Sequence, residues 1–404
     1  MRQAHLSAAL ALALLATASG CGAEHHRAAP RRALPARPGG DPGARPEADA
    51  TASPSAGASV RGEPPARGSP TEAPADAGTA PPAAPATPAA ACPADMVLVE
   101  GSYCPRVEQR CVRHRYTAGR RKKICLEFEP PTRCVGREEP RRYCVDRYAW
   151  PSRAGARPEV MNTFHQAQVK CAAVGKRMCT ESEWTLACEG PERKPFPHGW
   201  VRDAARCNGD HPWDFPDLRK VSRRDPAELA RLWRGVPSGS QPGCVSDYGV
   251  HDLPGNVDEV VASERPPGAE FPFDSVHTGG PWYDTAMNQC RPKIYTHDED
   301  FYYYFLGFRC CAEPDGAVTD PRTPRQRARR QRFEVVERRA GVGVAEAREA
   351  IERARRGECT CAPGDVRCGT LCGSLLGPGA RDADPAAPRG PNGPGHLGPA
   401  APTR

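Results

Sequence analysis

Gly175-Lys176-Arg177-Met178-Cys179-Thr180-Glu181-Ser182-Glu183-Trp184 is the stretch on which the fold turns, because an extended segment gives way there to a helix with a marked start. Thr180 and Glu183 form a capping box, the hydroxyl placed to accept from the N3 amide and the glutamate to reach back to the cap. The short helix that follows carries Trp184, Leu186, Ala187 and Cys188 and stops at Gly190, a C′ residue. Upstream, Phe164 to Val174 reads as an amphipathic helix, and Tyr143-Cys144-Val145-Asp146-Arg147-Tyr148 alternates like a strand. Earlier still, Met96-Val97-Leu98-Val99 reads as a buried strand with its turn at Gly101. From Phe196 to Tyr304 regular periodicity fades and Gly, Pro, Asp and Asn accumulate. The expectation is an α+β domain of low regular secondary structure, mostly loops with a few strands.

The first residues set the compartment. Arg2 and His5 precede an apolar run from Leu6 to Leu15 and then the small residues Ala16 to Gly20. A helix crossing a hydrocarbon core of about 30 Å needs roughly 20 apolar residues, so this run reads as a cleavable secretory signal. Ala18-Ser19-Gly20-Cys21 is similar to the bacterial lipobox, with Ala18 where Leu is usual, and Cys21 would become the lipidated N-terminus. Simple periplasmic secretion is the alternative. Setting Cys21 aside from the 19 cysteines leaves an even number in an exported chain, which favours a disulfide framework over metal sites. Each bridge is worth about 2–4 kcal/mol, which matters in a chain with 6% aromatics and 46 prolines. The formal charge of +7 over 404 residues is modest and gives no support to nucleic acid as a partner.

Composition divides the chain. Residues 1–21 are the lipoprotein signal and lipobox, and 22–91 an Ala/Pro-rich disordered tether that cannot bury a core. Residues 92–313 are the folded, disulfide-rich domain. Within it lies a Cys-rich insertion, 104–144, holding Cys104, Cys111, Cys125, Cys134 and the basic run Arg120 to Lys123, expected to be a stapled excursion with a solvated face. Residues 314–376 form a basic, Cys-rich extension with helices at about 325–339 and 344–356, expected as a solvated amphipathic pair. Contact of these helices with acidic envelope polymers or lipid headgroups is the other option. Cys359, Cys361, Cys368 and Cys372 lack the paired C-x2-C knuckles of most zinc ribbons, so two disulfides are expected there. Residues 377–404 are a disordered tail.

Short motifs then stand in one order: Met96 to Gly101, Cys144 to Tyr148, Gly175 to Trp184, Tyr248-Gly249-Val250-His251-Asp252-Leu253-Pro254-Gly255-Asn256-Val257-Asp258-Glu259, Gly279-Gly280-Pro281-Trp282, and Leu306-Gly307-Phe308-Arg309-Cys310. Over about residues 94–312 this order resembles the formylglycine-generating-enzyme, or sulfatase-modifying-factor, family. The resemblance implies that family's fold, related to the C-type-lectin superfold, with a small mixed sheet and long ordered loops.

It also implies chemistry. In the family a loop through the GNxxE motif binds Ca²⁺; carried onto this chain, Asp252 and Glu259 supply carboxylates while Gly255 and Val257 supply carbonyls, the hard oxygen donors that calcium takes. The plainer option is that Asp252 and Glu259 only cap backbone amides. Asn208 matches one position of a second family calcium site. The family's oxidase holds Cu(I) on two thiolates, a ligand set suited to a soft ion. At the matching positions stand Asp284 and Gln289, so copper is not expected. Cys290 matches a structural cysteine of the family, which implies the bridges Cys171–Cys310 and Cys188–Cys290; a displaced, reactive Cys290 is the alternative. The iron motif of the sulfoxide-synthase relatives is lacking, and His165, His198, His251, His277 and His297 are scattered without ligand spacing.

The resulting expectation is an envelope lipoprotein, anchored at the outer membrane and facing the periplasm or cell surface. Its domain would be a calcium-stabilised, non-catalytic binding or structural module, with a glycan or an envelope protein as ligand. Tyr295, Phe301, Tyr302, Tyr303 and Tyr304 beside Asp298, Glu299 and Asp300 are the candidate contact surface, with ordinary packing as their plainer role. The rival is a diverged oxidase with an altered site around Trp282, Asp284, Gln289 and Cys290.

Overall fold

The computed structural model describes residues 91–117, 122–362 and 364–373. The expected signal with Cys21, the tether as far as residue 90, Arg120 and Arg121, and the tail lie outside the described residues. Among the described residues no helix is long and apolar enough to cross a membrane.

The architecture is α+β, two four-stranded sheets and a separate hairpin joined by long loops. Strand β1 (Met96–Tyr103) leads into the hairpin of β2 (Val107–Tyr116) and β3 (Lys123–Cys134), after which β4 (Glu139–Asp146) returns antiparallel to β1 with Met96 opposite Asp146. Cys104–Cys134 closes the hairpin's base and Cys111–Cys125 crosses it. It is not a free excursion. The Phe128 amide donates to the Trp200 carbonyl (2.9 Å) and the Arg202 amide to that of Leu126 (2.8 Å). The hairpin's basic face is exposed as expected, with Arg110 and Arg113 paired at the surface with Glu129 and Glu127, and Arg115 lies 3.7 Å from Asp210.

Helices α1 (Phe164–Ala173) and α2 (Glu181–Glu189) flank β5 (Arg177–Met178), and each starts with a complete capping box, Thr163 with Gln166 and Thr180 with Glu183. After α3 (Leu218–Ser222) and α4 (Pro226–Leu232) comes the second sheet, built from β6 (Asp258–Ala262), β7 (Ser275–Thr278), β8 (Lys293–Ile294) and β9 (Leu306–Phe308) in the order β8-β7-β6-β9, with β9 parallel to β6. One residue later β10 (Cys310–Ala312) joins the first sheet between β4 and β5. The chain therefore passes from one sheet to the other at Arg309.

The extension contributes α5 (Pro324–Ala328), α6 (Phe333–Ala340), α7 (Val344–Arg355) and α8 (Val366–Leu371). It is not a solvated pair. Val336, Ala340, Ala347 and Ile351 belong to the apolar cluster that contains Phe164, Ala167 and Trp282. Helix α1 is correspondingly buried on nearly all sides and is not amphipathic in practice. Its polar residues misled the pattern: Gln168 donates to Gln326 (2.7 Å) and Lys170 pairs with Glu159, so both are buried with partners.

Nine disulfides pair every described cysteine. Cys171–Cys310 and Cys179–Cys311 fasten α1 and the start of α2 to β10, Cys188–Cys290 fastens the end of α2 to the loop after β7, and Cys92–Cys144 and Cys207–Cys244 tie down other loops. In the extension Cys359 bonds Cys372 and Cys361 bonds Cys368.

Candidate active-site loop

The loop after β7 opens with two glycines in the left-handed region, Gly279 (φ 86°) and Gly280 (φ 66°). A Cβ on Gly280 would lie 2.5 Å from Met287 Cβ, so the loop can double back only with glycine there. Asn288 stitches the double-back, its Nδ2 lying 3.0–3.1 Å from the carbonyls of Gly279, Gly280 and Pro281. Trp282, 2% exposed, packs between Trp233 (centroids 5.1 Å apart) and Tyr304 (6.1 Å).

Asp284 is buried and caps its own turn: Oδ1 accepts from the Ala286 amide (3.2 Å), and its carbonyl accepts from the amides of Met287 (2.9 Å) and Asn288 (3.1 Å). Burial pushes its carboxyl pKa up, while Lys122 of the hairpin turn draws it back. Gln289 is half-buried, with its amide 3.5 Å from the Ala286 carbonyl. Cys290 is bonded to Cys188, and its amide donates to the Pro195 carbonyl (3.0 Å). Soft monovalent copper needs thiolates; here a hard carboxylate and an amide stand in the two positions, and among the described residues every cysteine is in a disulfide. The hairpin leans over this region, where Asp210 binds Arg202 (2.7 Å), accepts from Thr285 Oγ1 (2.6 Å) and lies 3.7 Å from Arg115.

The four residues of the calcium expectation are close in sequence but differ in what they hold. Asp252 (φ 63°) is buried; Oδ2 accepts from the Gly239 amide (2.9 Å), Oδ1 has no partner, and burial pushes its pKa up to about 6. Glu259 accepts from Arg309 at both oxygens (2.7 Å each) and from Trp184 Nε1 (2.8 Å). The Gly255 amide donates to the Gly279 carbonyl (3.1 Å), and Val257 sits in the core. Glu259 does not fit calcium, because a dication there would face a guanidinium already bound, leaving Asp252 the one carboxylate of the set with an oxygen to spare. The side chain of Asn208 is likewise engaged, with Asn256 (3.1 Å), the Arg234 carbonyl (3.0 Å) and His211 (2.7 Å). Among the described residues, the one group of His, Cys, Asp and Glu donors close enough to share an ion is Cys361, Cys368 and Cys372, all of them in disulfides.

The profile of the sulfatase-modifying factor enzyme 1-like domain matches residues 127–314. The chain carries a sulfatase-modifying-factor domain. Among curated relatives, it is 31% identical to the inactive C-alpha-formylglycine-generating enzyme 2 of Bos taurus over 161 residues, 38% of this chain and 50% of that protein. The Mus musculus protein of the same name is 30% identical over 162 residues, 38% of this chain and 49% of that one. The chain thus spans about half the length of the curated relatives it matches. Among solved structures, PvdO from Pseudomonas aeruginosa is similar with a TM-score of 0.33 and 16% identity, over 54% of this chain and 93% of that one.

Behind the loop, the sulfatase-modifying-factor domain holds a pair that sequence reading missed. Asp258 and His277 lie 3.3 Å apart, Asp258 Oδ1 also accepting from the Gly280 amide (3.1 Å). Strand pairing sets His277 opposite Val260, hence diagonal to Asp258, a relation that no local spacing displays. Carboxylate–imidazole pairs can move protons. Here His277 Nε2 has no partner and the ring lies among His297 (5.0 Å) and Phe301 (5.3 Å), so the pair braces the sheet beneath the loop. Beside it Lys293 Nζ donates to Thr278 (2.8 Å) and Thr185 (2.9 Å), and burial lowers its pKa to about 8.

The expected aromatic contact surface is packed inward. Tyr304 is buried, Phe301, Tyr302 and Tyr303 are half-buried against the main core, and Tyr295 donates to Glu181 (2.6 Å) under the guanidinium of Arg265. Glu299 accepts from the Phe164 amide through its carbonyl, and Asp298 accepts from that of Asp300.

Proposed function

We propose that this chain is a lipid-anchored envelope protein, with Cys21 as lipid acceptor, whose sulfatase-modifying-factor domain is a non-catalytic binding or structural module. The loop 279–290 carries the reading. Its two copper positions hold Asp284, which caps a turn, and Gln289, and its cysteine is locked to Cys188. Likeness to relatives named as inactive supports the same direction. A disulfide-braced frame bearing long loops and a docked hairpin suits recognition, since function resides in the site grafted on a fold. A glycan or an envelope protein is the ligand class. The purified full chain, offered Cu(I) held by a coloured chelator, is expected to leave the metal with the chelator; transfer of one equivalent would overturn the non-catalytic reading. In a bacterial host, labelled palmitate is expected to mark the wild type and not Cys21→Ser, and an unlabelled wild type would remove the anchor.

A further inference from the structure

A groove of about 590 Å³ lies on the side of the molecule formed by α1, the turn after α3 and the extension. Its floor holds two cations close together. Lys170, 1% exposed, pairs with Glu159 and also donates to the Thr370 carbonyl. Arg224, 8% exposed, donates to Thr370 Oγ1 and lies 4.4 Å over the Tyr302 ring. Among the described residues Arg224 has no carboxylate partner, so this floor keeps a net positive charge. An arginine stays charged in any protein, and burying a charge without a counter-ion is costly. Arg223 lines the same groove from the exposed side, without an ion pair among the described residues. The extension adds the apolar side chains of Val342, Val366 and Leu371 to the lining, together with Arg367, whose charge is matched by Glu346.

We propose that this groove binds a small amphiphilic oxyanion, a carboxylate or phosphate ester carried on a short apolar group. The head meets Arg224 and Arg223, which supplies the missing counter-charge, and the tail lies along Val342 and Leu371. The site is separate from the loop 279–290 and is completed by the extension, which lies beyond the matched domain.

Calorimetric titration of the full chain with octyl phosphate and with octanoate, each below its micellar concentration, tests this. One saturable site is expected for at least one of them, and the tighter of the two tells whether phosphate or carboxylate is read. Octanol and inorganic phosphate are expected to bind at least about tenfold more weakly, each lacking one half of the ligand. Arg224→Gln is expected to weaken binding about tenfold or more. Because that change also touches Thr370, two surface variants stand beside it: Arg223→Gln, expected to cost about threefold, and Val366→Trp, expected to block the groove with the melting temperature kept. Absence of saturable binding, octanol binding as tightly as the anions, or affinity unchanged in both surface variants would overturn the proposal.

Discussion

Arg309 donates to both carboxylate oxygens of Glu259 at 2.7 Å, and neither side chain is more than 2% exposed. Arg309 stands between β9 and β10, and its guanidinium also reaches the carbonyls of Asp146 (3.1 Å) and His251 (3.2 Å), so the pair rivets the two sheets together. Removing one partner leaves a buried charge unmatched, at a cost of about 3–5 kcal/mol. Glu259→Gln is expected to lose that much in urea unfolding, and a loss under about 1 kcal/mol would contradict the role given to the pair.

Asp252 is expected to make the protein less stable as pH rises. Burial lifts its pKa from 3.8 to about 6, so the folded state holds the proton more tightly than the unfolded chain does. Its contribution is complete below about pH 4 and lost as pH climbs through about 6. Asp252→Asn, which cannot ionise, is expected to exceed the wild type by about 2–3 kcal/mol at pH 8 and to match it near pH 4. Paired melts at the two pH values decide, and a gap independent of pH would count against it.

The bridge Cys179–Cys311 joins the residue before the α2 cap to β10 across a sequence separation of 132 residues. Replacing both cysteines by alanine is expected to cost about 2–5 kcal/mol in denaturant unfolding. An unchanged midpoint would show the strands held without it.

With Glu259 committed to Arg309, removing calcium has little to act on. The melting temperature in excess EGTA is expected to stay within about 1 °C of that in calcium. A fall of several degrees would reveal a cation held by other donors.

What was legible in the sequence was local. The capping box at Thr180 and Glu183 and the strands at Met96 and Tyr143 declare themselves within a few residues and are in place, although β1 does not turn at Gly101 but pairs through it, opposite Arg141, as far as Tyr103. What escaped depends on partners far along the chain. Helix α1 reads as amphipathic because Gln168 and Lys170 are polar, and only Gln326 and Glu159 make their burial tolerable. The hairpin's basic face is solvated as read, but the pairing of its arginines was not legible, because its glutamates lie on the opposite strand and Asp210 in a distant loop. At the candidate site Asp284 and Gln289 are plain in the sequence, whereas the commitment of Glu259 to Arg309 and the pairing of Asp258 with His277 appear only once the strands are laid side by side.

An oxygen electrode can decide whether thiolate chemistry has left positions 284 and 289. The full chain, supplied with Cu(I) and a cysteine-containing peptide, is expected to consume no oxygen beyond the copper-only control and to leave the peptide mass unchanged. Oxygen uptake that depends on the protein, with the peptide's cysteine converted to formylglycine, would contradict a non-catalytic domain.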